Sequence, residues 1–168
     1  MNSKMSGRLE IAGSVALAIA AEPIHEAGHA IAVWIVTGVW PEIGFWAVHP
    51  TAAFHSNGDI LAVLGAGDAA VTIWWGLMLI ITYRRPDRKW LLIGPTFVVG
   101  LALMNWLAAA LLSLFGYGYL GASDAAKFIE VSGLAPAAIA AVLTGIIALI
   151  GMAVARIFGS GTHVSPAL

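Results

Sequence analysis

Four apolar stretches dominate this chain of 168 residues, each as long as the ~20 residues that carry a helix across a bilayer. They run over Ile11–Val39, Ile60–Tyr83, Trp90–Phe115 and Pro136–Phe158. One compact soluble domain of this length has too little interior to hide them. Charge is scarce to match: 10% of residues are Asp, Glu, Lys or Arg and 60% are hydrophobic, whereas soluble domains carry about 25% charge. The expected fold class is all-α, an integral membrane bundle of about four transmembrane helices. It forms a single domain over residues 1–158, followed by a flexible tail at 159–168. A net charge of −1 offers no field to a phosphate backbone, so the bilayer is the expected partner and nucleic acid is not. With no cysteine, any metal must be held by nitrogen and oxygen.

Lys4 and Arg8 precede the first apolar run in the manner of a signal peptide, but the run is too long for one and is taken as mature structure. With four spans, Lys4, Arg8, Arg84, Arg85, Arg88, Lys89 and Arg156 all fall on one side, and of the eight basic residues Lys127 is left on the other. The positive-inside rule then puts both termini of a multi-pass protein in the cytoplasm. Trp40, Trp74, Trp75 and Trp90 are candidates for the interfacial belt, with Trp74 and Trp75 equally readable as core or lipid-facing residues. Between the first two spans, Glu42–Val48 has the character of a short strand that Pro41 and Pro50 confine to an edge or a hairpin arm. After the third span, Ser123 is an expected N-cap for a short helix Asp124–Val131 closed by Gly133.

Ionisable groups inside a bilayer are costly and mark function. Most of those here lie in the first span, in Glu22-Pro23-Ile24-His25-Glu26-Ala27-Gly28-His29. The core is H-E-x-x-H. Histidines four apart on a helix share a face, so His25 and His29 can reach one ion. Two imidazoles leave a zinc ion room for a third ligand and a water. Bound to zinc, that water has a pKa near about 7, and Glu26 is placed to take its proton during attack on a carbonyl. Glu22 shares the stripe and is a candidate to fix an imidazole tautomer. Pro23 should kink the helix or restart it with Glu22 as its cap.

For the third ligand, Asp124 at the start of the short helix is favoured over Asp68 in the second span; Glu22, His49 and His55 are weaker candidates. Asn105, midway through the third span, must hydrogen-bond within the protein, by joining two helices or aligning a substrate backbone. Gly65, Gly67, Gly94 and Gly100 are read as sites of close helix approach.

His-Glu-Ala-Gly-His-Ala within an apolar helix resembles the site-2 protease family of intramembrane zinc metalloproteases. His25–Gly38 looks like that family's first core helix and Leu64–Leu77 like its glycine-rich second. The connection Trp40–Gly58 sits where members carry a short β element, and Gly121–Ile129 where they present an aspartate ligand. Asp124 is followed here by Ala125, where the family commonly has glycine. The resemblance implies one zinc ion per chain held by His25, His29 and Asp124, with Glu26 as catalytic acid and base. It also implies hydrolysis of peptide bonds in membrane-embedded protein substrates. The alternative function is a non-catalytic zinc-binding subunit or scaffold with a membrane-protein partner. A metal or proton transporter using Glu22, Asp68 and the histidines ranks last, because Pro136–Phe158 has few polar groups.

Overall fold

The computed structural model describes residues 3–44, 47–117 and 123–159, and the expected tail lies outside them apart from Gly159. The chain is mostly helical. Helix α1 spans Ser3–Thr37, and a hairpin of two-residue strands follows, β1 Glu42–Ile43 and β2 Val48–His49. Glu42 pairs with His49 and Ile43 with Val48, antiparallel. Helix α2 is Asn57–Arg84, and a short 3-10 helix Pro86–Leu92 leads into α3, Ile93–Leu114. Helix α4 is Asp124–Ser132 and α5 is Pro136–Gly159.

Among the described residues, three helical segments are long and apolar enough to cross a membrane: α2, the continuous stretch Pro86–Leu114, and α5. Their outer faces are apolar, with Ile73, Phe97, Val142 and Leu149 exposed, as lipid-facing surfaces require. Helix α1 differs because Glu22, His25, Glu26 and His29 interrupt its apolar run. It does not restart at Glu22 as Pro23 suggested; it runs through the proline as one helix. The hydrogen bond that Pro23 forfeits is offset by the extensive packing of α1 along α2.

That packing depends on small residues. A Cβ on Gly28 would meet the carbonyl of Ala66 and the Cβ of Ala70, so α1 and α2 cross almost backbone to backbone. Gly94 meets the Ser14 carbonyl of α1 in the same way. Gly100, expected to serve likewise, has open space where its side chain would be. One core cluster joins Ala21, Val71, Trp75 and Val99 of the first three helices. Of the readings open for Trp75 the core one holds, and its Nε1 donates to Thr96 Oγ1 at 3.0 Å. A second cluster seats α4 on α3 through Ala109, Ala110, Ala125 and Ile129.

Candidate metal centre

His25 and His29 stand one helical turn apart on the face of α1 that meets α2. Their Nε2 atoms are 2.9 Å apart. Asp124 Oδ2 reaches the same point from the first turn of α4, 3.0 Å from His29 Nε2 and 3.6 Å from His25 Nε2. Asp124 gets there because α4 is anchored at both ends. Ser123 caps it by accepting from the Ala126 amide, and Gly133 closes it in the left-handed conformation with φ 64°. Small Ala109 and Ala110 let it lie close against α3, and Phe128 packs edge-on against Trp106.

Both rings are held from behind. His29 Nδ1 donates to the Val63 carbonyl of α2 at 2.7 Å. A carbonyl only accepts, so Nδ1 carries a proton, which in the neutral ring frees the Nε2 lone pair for a metal and in the imidazolium leaves Nε2 a donor to Asp124. His25 Nδ1 faces Asp68 Oδ1 at 3.4 Å, and Asp68 Oδ2 in turn accepts from Trp106 Nε1 of α3. A carboxylate or carbonyl behind each imidazole is the usual support of a metal-ligating histidine. Beneath the pair lies Gly67, where a Cβ would stand 2.5 Å from His29 Nε2 and 2.6 Å from His25 Cε1. Gly67 therefore serves the close approach of α1 to α2 by making room for the imidazoles, side chain against backbone.

The donor set fits zinc. Tetrahedral ligands about 2.1 Å from the ion lie about 3.4 Å from each other, and the three separations here bracket that value. Burial pushes the Asp124 carboxyl up, but the hydrogen bonds from His25 and His29 outweigh it and hold the group well below the usual carboxylate range. Asp124 is thus an anionic donor. Glu26, one residue beyond His25, is buried, and its Oε2 has no hydrogen-bond partner among the described residues. A buried carboxyl oxygen left unpaired is costly, so this atom marks a place for a group from outside the chain. Glu26, His29 and Asp124 open onto a cavity of about 600 Å³ whose other walls include Val48 of β2, Phe54 of the connection before α2 and Lys127 of α4.

Comparison with family models, curated proteins and solved structures finds no match for this chain. The site therefore rests on its own geometry. Of the other candidates, Glu22 is exposed on α1, and neither Nδ1 turns to it. His49 lines the large cavity from β2, and His55 lies on the loop before α2, where its amide donates to Asp59. Asn105, half-buried on α3, borders a different cavity with Glu22, Glu26 and Asp68. Sequence reasoning missed Val63 and Trp106, and it singled out Gly67 for helix approach without linking it to the site. The one available signal was spacing: Val63 and Gly67 are four apart on α2, hence on one face, with Asp68 next in sequence.

Proposed function

We propose that the chain is a four-span intramembrane zinc endopeptidase resembling the site-2 protease family. In this reading α1 crosses the bilayer with α2, α3 and α5, and both termini are cytoplasmic. The observation that carries the proposal is the convergence of His25 Nε2, His29 Nε2 and Asp124 Oδ2 beside buried Glu26, whose Oε2 has no hydrogen-bond partner among the described residues. A purely structural zinc site has no use for such a carboxylate, and a closed set of four protein ligands would be its ordinary form.

In the mechanism, His25, His29 and Asp124 would hold zinc, which would supply Lewis acidity and lower the pKa of a nearby water. Glu26 takes a proton from the attacking water, holds it on its carboxyl, and delivers it to the amine nitrogen released when the peptide C–N bond breaks. Val63 and Asp68 keep the two imidazoles in the ligating tautomer. The large cavity admits the substrate in unwound form, because a transmembrane helix keeps its peptide groups internally bonded.

The test uses zinc-loaded protein in nanodiscs with a library of fluorogenic single-span peptides. Cleavage is expected to fall by about 10²–10⁴-fold in Glu26→Gln, while that variant keeps its zinc. Full cleavage by Glu26→Gln would refute the catalytic role. Absence of cleavage by the zinc-loaded wild type would refute the protease reading in favour of a zinc-binding subunit.

A further inference from the structure

Three parts of the chain meet at the end of α2 away from the hairpin. Trp90, in the 3-10 helix after α2, lies against Gly13 of α1, where a Cβ would stand 2.6 Å from its ring. Lys89 Nζ donates to the Ile157 carbonyl at 2.6 Å and lies 6.0 Å from the centre of the Phe158 ring, which ties the last turns of α5 to the same connection. Arg8 of α1, then Arg84, Arg85, Arg88 and Lys89 around the connection, and Arg156 of α5 therefore share one end. Among the described residues the acidic groups there are Glu10 and Asp87. Arg8, Arg84, Arg85 and Arg156 are exposed and form no ion pair among the described residues. Arg88 stands 3.9 Å from Asp87 with both side chains largely in solvent, where such a pair is worth little.

Arg85 and Arg88 are held as a pair. The Arg88 amide donates to the Arg85 carbonyl at 2.9 Å, closing a four-residue turn with Pro86 in second place, and the ends of such a turn lie within about 7 Å of each other. Two forked donors at that spacing suit a phosphate group, which guanidinium binds bidentately. Arg84 and Arg85 follow directly on the apolar run of α2, and Tyr83 before them is exposed, the pattern of a span that ends at headgroup level. Basic residues just beyond a span attract anionic lipid, each by about fivefold. A zwitterionic headgroup offsets its own phosphate charge and gains little from the same field. We infer that the Arg85–Arg88 turn, with Arg8, Arg84 and Arg156 at the same end, binds the phosphate of an anionic phospholipid. The inference rests on α2 and Pro86–Leu114 crossing the bilayer and is independent of the zinc centre.

The test titrates the protein, in an uncharged detergent, with phosphatidylglycerol or with phosphatidylcholine of the same acyl chains, and reads the lipid-bound fraction by native mass spectrometry. The wild type is expected to bind its first phosphatidylglycerol about tenfold or more tighter than phosphatidylcholine. Arg85→Gln/Arg88→Gln is expected to lose about 25-fold in phosphatidylglycerol affinity and to keep its phosphatidylcholine affinity, which also reports an intact bundle. Lys127→Gln, on α4 beyond the other end of α3, is expected to match the wild type. If the double variant does not fold, the two single variants decide, each with an expected loss of about fivefold. Equal affinity of the wild type for the two lipids overturns the inference, as does an equal loss for both lipids or none for phosphatidylglycerol in the arginine variants. Each of these outcomes leaves the protease reading intact. Displacement of the lipid by inorganic phosphate at equal concentration overturns the lipid in favour of a free anion.

Discussion

Replacing Gly67 with alanine should abolish metal binding at the proposed centre while leaving the helices in place. The added Cβ would lie 2.5 Å from His29 Nε2, 2.6 Å from His25 Cε1 and 2.7 Å from His25 Nδ1. Ordinary contact needs about 3.5–4.0 Å, so both rings must retreat by about 1 Å. Neither is free to do so, because His29 is tied to the Val63 carbonyl and His25 faces Asp68. Metal–ligand distances tolerate about 0.2 Å, and misplacement by 1 Å at a working site costs on the order of 10²-fold. A loss of zinc affinity of about 10²-fold or more is expected, measured by competition with a chelator of known affinity. Gly65→Ala is the control, since its Cβ would meet only Phe128 at 3.8 Å. Both changes raise helix propensity by about 1 kcal/mol, so propensity cannot separate them. Equal zinc affinity in the two variants would refute the steric argument and the placement of the imidazoles over Gly67.

Two further outcomes follow from the contacts around the site. Asp68→Asn should weaken zinc binding by about 10–100-fold with helicity retained, and Trp106→Phe, which removes the donor to Asp68 Oδ2, should act in the same direction; unchanged affinity in both would contradict the supporting role of Asp68. Gly28→Ala forces a methyl group onto the Ala66 carbonyl at the α1–α2 crossing and should destabilise the protein by about 1–3 kcal/mol. A thermal midpoint equal to or above that of the wild type would contradict the close crossing.

What the sequence made legible was local. His25, Glu26 and His29 lie within one turn and a half of helix, where spacing alone decides which side chains share a face. Helix α4 was readable from its ends, Ser123 and Gly133, because caps act within a few residues. The site's supports were not readable, because they depend on how helices rotate against one another. Helix α2 is apolar nearly all round, so no stripe tells which side meets α1. Without that, Gly67 under the imidazoles looks the same as Gly65 and Gly100. Trp106 was similarly hidden, since its indole reaches Asp68 only through the mutual register of α2 and α3. Of the kink or restart expected at Pro23, the restart is not seen, because tertiary packing against α2 outweighs a local breaker.

The central claim is that His25, His29 and Asp124 form one metal centre, and zinc content per chain tests it most directly. Protein purified in detergent without chelator, supplied with zinc and then desalted, is assayed by mass spectrometry alongside His25→Ala and Asp124→Ala. One zinc per chain in the wild type, lost in both variants, is the expected result. No retained zinc in the wild type, or equal zinc in His25→Ala, would contradict the claim.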